Sequence, residues 1–218
     1  MPPMPSDPPS PDPNCALCPR LVAYREANRA AEPDWHNAPV PSFGNLDARL
    51  LVVGLAPGVR GANRTGRPFT GDYAGDLLYA TLLKFGFAQG GYDRRADDGL
   101  TLVDCRITNA VRCVPPENKP TGPEANACRP FLAAEIEAMP RLDTIVALGA
   151  LSHGAVLRTL GVPVSRFKFG HGVWHAPRET GPRLADSYHC SRYNTNTGKL
   201  TPAMFEQVFV AVRKRLDA

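Results

Sequence analysis

Long apolar runs are missing from this chain. None of its 218 residues falls in a stretch approaching the roughly 20 consecutive apolar residues that cross a bilayer, which excludes a helical membrane span. The opening MPPMPSDPPSPDPN lacks both a basic start and an apolar segment, so a secretory signal is not expected there. It is proline-rich with nothing to pack, and residues 1–14 are expected to be a disordered or loosely draped tail. No internal repeat and no second domain are visible, so 15–218 reads as one domain. A large excess of one charge is lacking too: 25 basic residues face 21 acidic ones, for a net +4. That tilt permits an anionic partner without demanding one. A soluble protein of a reducing cytoplasm is the expectation.

Two phosphate-binding signatures are also absent. The glycine-rich stretch Gly54 to Asp72, GLAPGVRGANRTGRPFTGD, has no lysine–hydroxyl pair of the Walker type. Nor does it open a helix directly, as a dinucleotide fingerprint does. Pro57 and Pro68 stiffen it while its glycines permit close backbone approach, so it reads as a preorganised site carrying Phe69 and Asp72 rather than a surface excursion.

Apolar runs of strand length alternate with segments of helical period. Strands are expected over 49–56, 101–107 and DTIVALG, with shorter ones at VSRFKF and RLADSY. Helices are expected around Leu77–Phe85, from the capping box TGPE to about Met139, over ALSHGAVLRTLG, and over the closing TPAMFEQVFVAVRKRL. The order β-α-β-α-β-α-β-β-α predicts an α/β fold, a mostly parallel sheet with helices on both faces. Ligands of such sheets bind beyond the carboxyl ends of the strands. The glycine loop, TNAVRC and YHCSRYNTNTG all fall there. Arg60, Arg64 and Arg67 in the first loop, with Arg192 and Lys199 in the last, put basic residues at the same end.

Of six cysteines, Cys15 and Cys18 form a CxxC, and Cys113 and Cys128 stand far off. Four thiolates of this kind suit zinc or an iron–sulfur cluster, and spacing leaves the two open. A redox CxxC normally follows a strand, whereas this one follows the tail. Cys105 reads as a small buried hydrophobe and Cys190 falls within the last loop.

With GLAPG, NRTGRPFTGD, ITNAVRCVPPENKP and YHCSRYNTNTGKLT in this order, the chain from Cys15 onward resembles the uracil-DNA glycosylase superfamily, and within it the iron–sulfur family 5. The resemblance implies a three-layer α/β/α sandwich and a structural 4Fe–4S cluster on Cys15, Cys18, Cys113 and Cys128. It implies removal of uracil, and of other deaminated bases, from double-stranded DNA; a monomer is expected. Gly54, Ala56, Pro57, Phe69, Asn109 and His189 would form the base pocket. Phe69 would stack on the extruded base, Asn109 would pair with its edge, and His189 would stabilise charge on it as it leaves. Asp72 would orient the water. Arg60, Arg64, Lys119, Ser191 and Arg192 would contact DNA, with the SRYN run wedging into the emptied stack. The chain departs from the family pattern at Gly58-Val59-Arg60, where Ala-Ala-His is common, and at Cys190, where proline is common. Leu55 and Ala56 stand where some superfamily members carry a water-activating acid.

Each residue also has a plainer reading. Asp72 would be a helix cap, Phe69 a core anchor, Asn109 a turn stabiliser and His189 a strand-end histidine. The rival functions are a lesion-binding iron–sulfur protein that cuts poorly and a zinc-bearing nucleotide-binding module.

Overall fold

A computed structural model describes residues 8–218. Its centre is the sheet of β1 (Leu50–Gly54), β4 (Cys105–Asn109), β5 (Thr144–Leu148), β7 (Arg183–Ser187) and β6 (Trp174–His175), in the order β4-β1-β5-β7-β6. The first four are mutually parallel and β6 runs antiparallel on the edge. β1 is buried on both faces, so its residues read as a continuous apolar run. Leu50 and Val52 point into one core with Leu78 and Leu82 of α3 (Tyr73–Lys84) and Phe205 and Phe209 of α7 (Pro202–Leu216). Leu51 and Val53 point the other way, against Leu132 of α4 (Gly122–Glu137) and Leu157 of α5 (Ala150–Thr159). This alternation makes the three layers, and each fully buried leucine or phenylalanine contributes about 1.5–3 kcal/mol. The expected α/β/α architecture is present. Among the described residues no helix is long and apolar enough to cross a membrane.

Thr121 caps α4 with the full reciprocal box: Glu124 Oε2 accepts the Thr121 N–H at 2.7 Å. The 101–107 run departs from expectation. It splits into β3 (Thr101–Leu102), antiparallel to β2 (Ala88–Gln89), and β4. The break is Asp104, held at φ 51° while its carboxylate accepts the Arg49 N–H at 2.8 Å and Arg49 Nε at 2.7 Å. VSRFKF is not a strand either. Val164–Arg166 makes a single 3₁₀ turn, and the edge position goes to β6. Three short or unexpected helices complete the fold: α1 (Pro19–Ala31), α2 (Ala62–Thr65) inside the glycine loop, and α6 (Arg192–Asn196) inside the last loop.

Half of the expected tail, residues 1–7, lies outside the described residues. Pro13 and Asn14 are held by Arg29 of α1, whose Nη1 donates to Asn14 Oδ1 at 2.9 Å and Nη2 to the Pro13 carbonyl at 3.0 Å.

Candidate active site

β1 connects toward β4 while β5 connects toward β7, so the sheet's order reverses between β1 and β5. A cleft of about 850 Å³ opens at this switch point, beyond the carboxyl ends of the strands.

One wall comes from the glycine loop, which is rigid because Arg67 is turned inward. Its guanidinium pairs with both oxygens of Asp98 at 2.7 Å, and Nε donates to Thr70 Oγ1 at 2.8 Å. The charge sits 5.2 Å and 5.3 Å from the ring centroids of Phe43 and Tyr79. The hydrogen-bonded Arg67 holds the Asp98 carboxyl well below the usual carboxylate range, burial opposing. Arg67 is thus a structural strut, and the basic face expected of the loop loses one member. Tyr79 and Tyr92 donate to the carbonyls of Pro68 (2.6 Å) and Phe69 (3.3 Å). So braced, Phe69 sits at φ 53°, a conformation that costs a non-glycine residue about 1–3 kcal/mol.

The strained ring is buried beside Gly54, and the β1–β4 register sets Gly54 opposite Asn109. A Cβ at Gly54 would overlap Asn109 Oδ1 and lie 2.5 Å from Phe69 Cζ, so only glycine lets amide and ring converge. Asn109 Oδ1 is buried and has no hydrogen-bond partner. Leaving such an acceptor unpaired costs about 1–3 kcal/mol, which marks a group built to meet a ligand.

His189 faces Phe69 with ring centroids 6.1 Å apart at 33°. Burial pulls its pKa below the usual imidazole value, so the ring is neutral near pH 7. Asp72 lines the same cleft and caps α3: Oδ1 accepts the Gly75 N–H at 3.3 Å. Its other oxygen lies against the glycine loop. A Cβ at Gly58 would stand 3.0 Å from Oδ2, and one at Gly61 would overlap it. Burial pushes the carboxyl's pKa up, against the backbone N–H groups of Gly75 and Ala74. The cap reading therefore holds without removing Asp72 from the site.

Ala56 and Pro57 line the cleft, as do Arg60, Ser191 and Arg192 at its mouth. Arg192 lies 5.4 Å from the Tyr73 ring centroid, and Ser191 caps α6. Arg64 and Lys119 are outside the lining. Arg64 Nη2 reaches the Gly71 carbonyl at 3.4 Å, and Lys119 Nζ stands 3.5 Å from Glu117. Sequence reasoning missed Asn118, which lines the cleft at φ 56°. Its signal was the turn PPENKP, of which only Lys119 was singled out.

Away from the cleft, Cys15, Cys18, Cys113 and Cys128 line one small cavity with Leu21 and Phe131. Buried Arg25 donates through both terminal nitrogens to the Cys15 carbonyl at 3.1 Å and lies 3.9 Å from Cys113 Sγ. The Arg112 N–H points at Cys128 Sγ, 3.4 Å away. Burial pushes the Cys113 thiol up to about 12, so only a bound cation would draw off its proton. Cys105 is buried in β4 and apart from this group.

A different trio, His153, His175 and Asp186, brings its donor atoms within 4.8 Å of one another. Its N···O separations of 2.8 and 2.9 Å are hydrogen bonds, and His153 Nε2 meets the Phe167 carbonyl at 2.9 Å. The trio is a buried strut.

At the switch point of this α/β/α sandwich, Phe69, the buried Asn109 amide and His189 form a cleft whose shape and polarity suit a flat, polar-edged ring. A model of the uracil DNA glycosylase superfamily matches residues 41–213. A type-5 uracil-DNA glycosylase of Thermus thermophilus is 45% identical over 206 residues, 92% of this chain and 93% of its own length. One of Mycobacterium leprae is 46% identical over 209 residues, 92% of this chain and 90% of its own. One of Pyrobaculum aerophilum is 43% identical over 199 residues, 89% and 86% of the two chains. The chain belongs to the uracil DNA glycosylase superfamily.

Proposed function

We propose that this protein is a monofunctional uracil-DNA glycosylase acting on double-stranded DNA, with uracil and other deaminated bases as substrates. The observation that carries this is the unpartnered, buried Asn109 Oδ1 beside the Phe69 ring. A base within a duplex is out of reach, so the nucleotide must be flipped into the cleft at a cost of a few kcal/mol. Phe69 then gives it a stacking face and Asn109 an amide for its edge. The bond between sugar C1′ and the base nitrogen breaks, and its electron pair leaves with the base. Neutral His189 donates to the charged base. A water oxygen bonds to C1′ and gives its proton to the Asp72 carboxylate, which also favours cationic character on the sugar. Asn118, across Gly58 from Asp72, offers an amide to hold that water. Arg60, Arg64, Lys119, Ser191 and Arg192 meet the DNA backbone, and exposed Tyr193 in the SRYN run fills the emptied stack.

The cysteine set fits a 4Fe–4S cluster better than a single zinc. Four thiolates about 2.3 Å from one zinc would lie about 3.8 Å apart. Among the described residues no three cysteine sulfurs come within 4.8 Å of one another. Cys15 and Cys18 at the start of α1, Cys128 in α4 and Cys113 after β4 would hold the cluster, which would then serve as a structural cross-link. We read the protein as a monomer of the cytoplasm, in keeping with its six free cysteines.

Labelled duplexes carrying uracil, hypoxanthine or xanthine, treated with protein and then mild alkali, test this reading. Cleavage at the uracil position is expected. Binding without alkali-labile sites would favour the lesion-binding rival, and no binding would favour the nucleotide-binding one.

A further inference from the structure

The peptide that carries His189 is held from both sides by side chains outside its own strand. β7 ends at Ser187, so Tyr188 and His189 lie beyond the sheet. On one side the Tyr188 N–H donates to His171 Nδ1 at 3.1 Å. On the other, Asn194 Nδ2 donates to the His189 carbonyl at 2.8 Å. The His171 ring also stacks on the Tyr188 ring, with centroids 5.0 Å apart at 22°. Its second nitrogen, Nε2, lies 3.2 Å from the Met204 carbonyl in the first turn of α7.

These partners place the proton. A backbone N–H only donates, so Nδ1 is bare; a carbonyl only accepts, so Nε2 carries the hydrogen. His171 is therefore a neutral ring in one tautomer, and burial pulls its pKa down in agreement. Its two bonds tie α7 to the residue just before His189.

We propose that His171 is a positioning residue for base excision, holding the backbone at Tyr188 so that the His189 ring that follows meets the departing base. The inference rests on the role given to His189 above. A misplacement of about 1 Å at a reacting group can cost about a hundredfold in rate, so a lost anchor one residue away is large enough to measure.

Two substitutions separate this role from simple packing. His171→Asn sets an amide oxygen where Nδ1 stood and keeps an acceptor for the Tyr188 N–H. His171→Phe keeps the stacked ring and loses both hydrogen bonds. Single-turnover excision of uracil and the Kd for an uncleavable duplex are measured for each, at matched folded fraction. The Phe variant should excise at least about tenfold more slowly with Kd nearly unchanged, and the Asn variant should recover most of the loss. In a His189→Ala background His171→Phe should slow excision no further, since the group it positions is gone. Equal rates for the Phe and Asn variants, or an undiminished loss without His189, would overturn the proposal. A His189→Ala chain as fast as wild type would overturn the role of His189 and this inference with it, a result distinguishable from the other two. Should the Phe variant fail to fold, His171→Gln, with its amide only at the Nε2 position, takes its place.

Discussion

In the proposed reaction His189 and Asp72 act on opposite sides of the breaking bond, and their substitutions should fail differently. The role proposed for His189 is to stabilise charge that exists only as the base leaves, so His189→Ala should lower single-turnover excision by about 10²–10³, equivalent to roughly 2.7–4 kcal/mol, and leave duplex binding intact. Asp72→Asn keeps the α3 cap, because asparagine caps as well as aspartate, so Tm should hold. Excision should still fall by about 10² or more with the charge gone. Asp72 must be ionised to take the water's proton, and burial raises its pKa. Wild-type excision should therefore fall as pH drops through a value above the ordinary carboxylate range. Burial lowers the His189 pKa from an ordinary imidazole value that already lies below 7, so His189 should add no limb near pH 7. Wild-type rates from an Asp72→Asn chain would return that residue to a purely structural role. Much at this scale was legible in the residues: Phe69, Asn109, Asp72 and His189 all line one cleft, with Gly54 packed against Asn109 and Phe69. What was hidden is which way a side chain points. Arg64 and Arg67 are both arginines of one loop, yet Arg67 is drawn inward by Asp98 and three aromatic rings that lie far off in sequence. Asn118 owes its place to a left-handed turn whose direction no spacing rule reports.

The strained loop and α3 are locked together at Gly75, in the helix's first turn. A Cβ there would overlap the Phe69 carbonyl oxygen and stand 2.5 Å from Tyr92 Oη. Glycine in a helix ordinarily costs about 0.8–1 kcal/mol relative to alanine, so Gly75→Ala would stabilise a free helix. Here the sign should reverse. The variant should lose about 1–3 kcal/mol in urea unfolding and excise more slowly, because the methyl pushes on the backbone that sets Phe69. A gain of about 1 kcal/mol would show that the loop is free to move off the helix. Elements with a long apolar pattern or a capping signature were readable, as β1, α5 and α7 show for the first and α4 for the second. The strand over 101–107 was not, because its break depends on Arg49, just before the neighbouring strand β1, capturing Asp104. Nor were α1 and α6. α1 buries only Leu21 and Arg25, and α6 has five residues and buries none, so neither has a stripe to read.

Across the whole molecule, the cysteine centre and the cleft share one piece of chain. β4 ends at Asn109, and Cys113 follows after Ala110, Val111 and Arg112, all buried. Val111 packs with Cys113, Cys128 and Leu21, and the half-buried Ala56 of the first loop packs against the same group. The proposed cross-link at Cys113 would therefore fix α1 and α4 and also steady the strand end that presents the orphaned amide. Purified protein should be brown and hold about four iron and four sulfide per chain, as a four-cysteine cubane requires. Cys113→Ala should lose iron, lower Tm and slow excision together, because the segment that follows Asn109 is no longer tied at its far end. Cys105→Ala, in the strand but apart from the centre, should keep its iron, although it too removes buried volume and costs some stability. That pair separates loss of the centre from loss of packing. One zinc per chain without sulfide would overturn the cluster. Full iron with normal excision in Cys113→Ala would overturn both the ligand assignment and the coupling between the two ends of that loop.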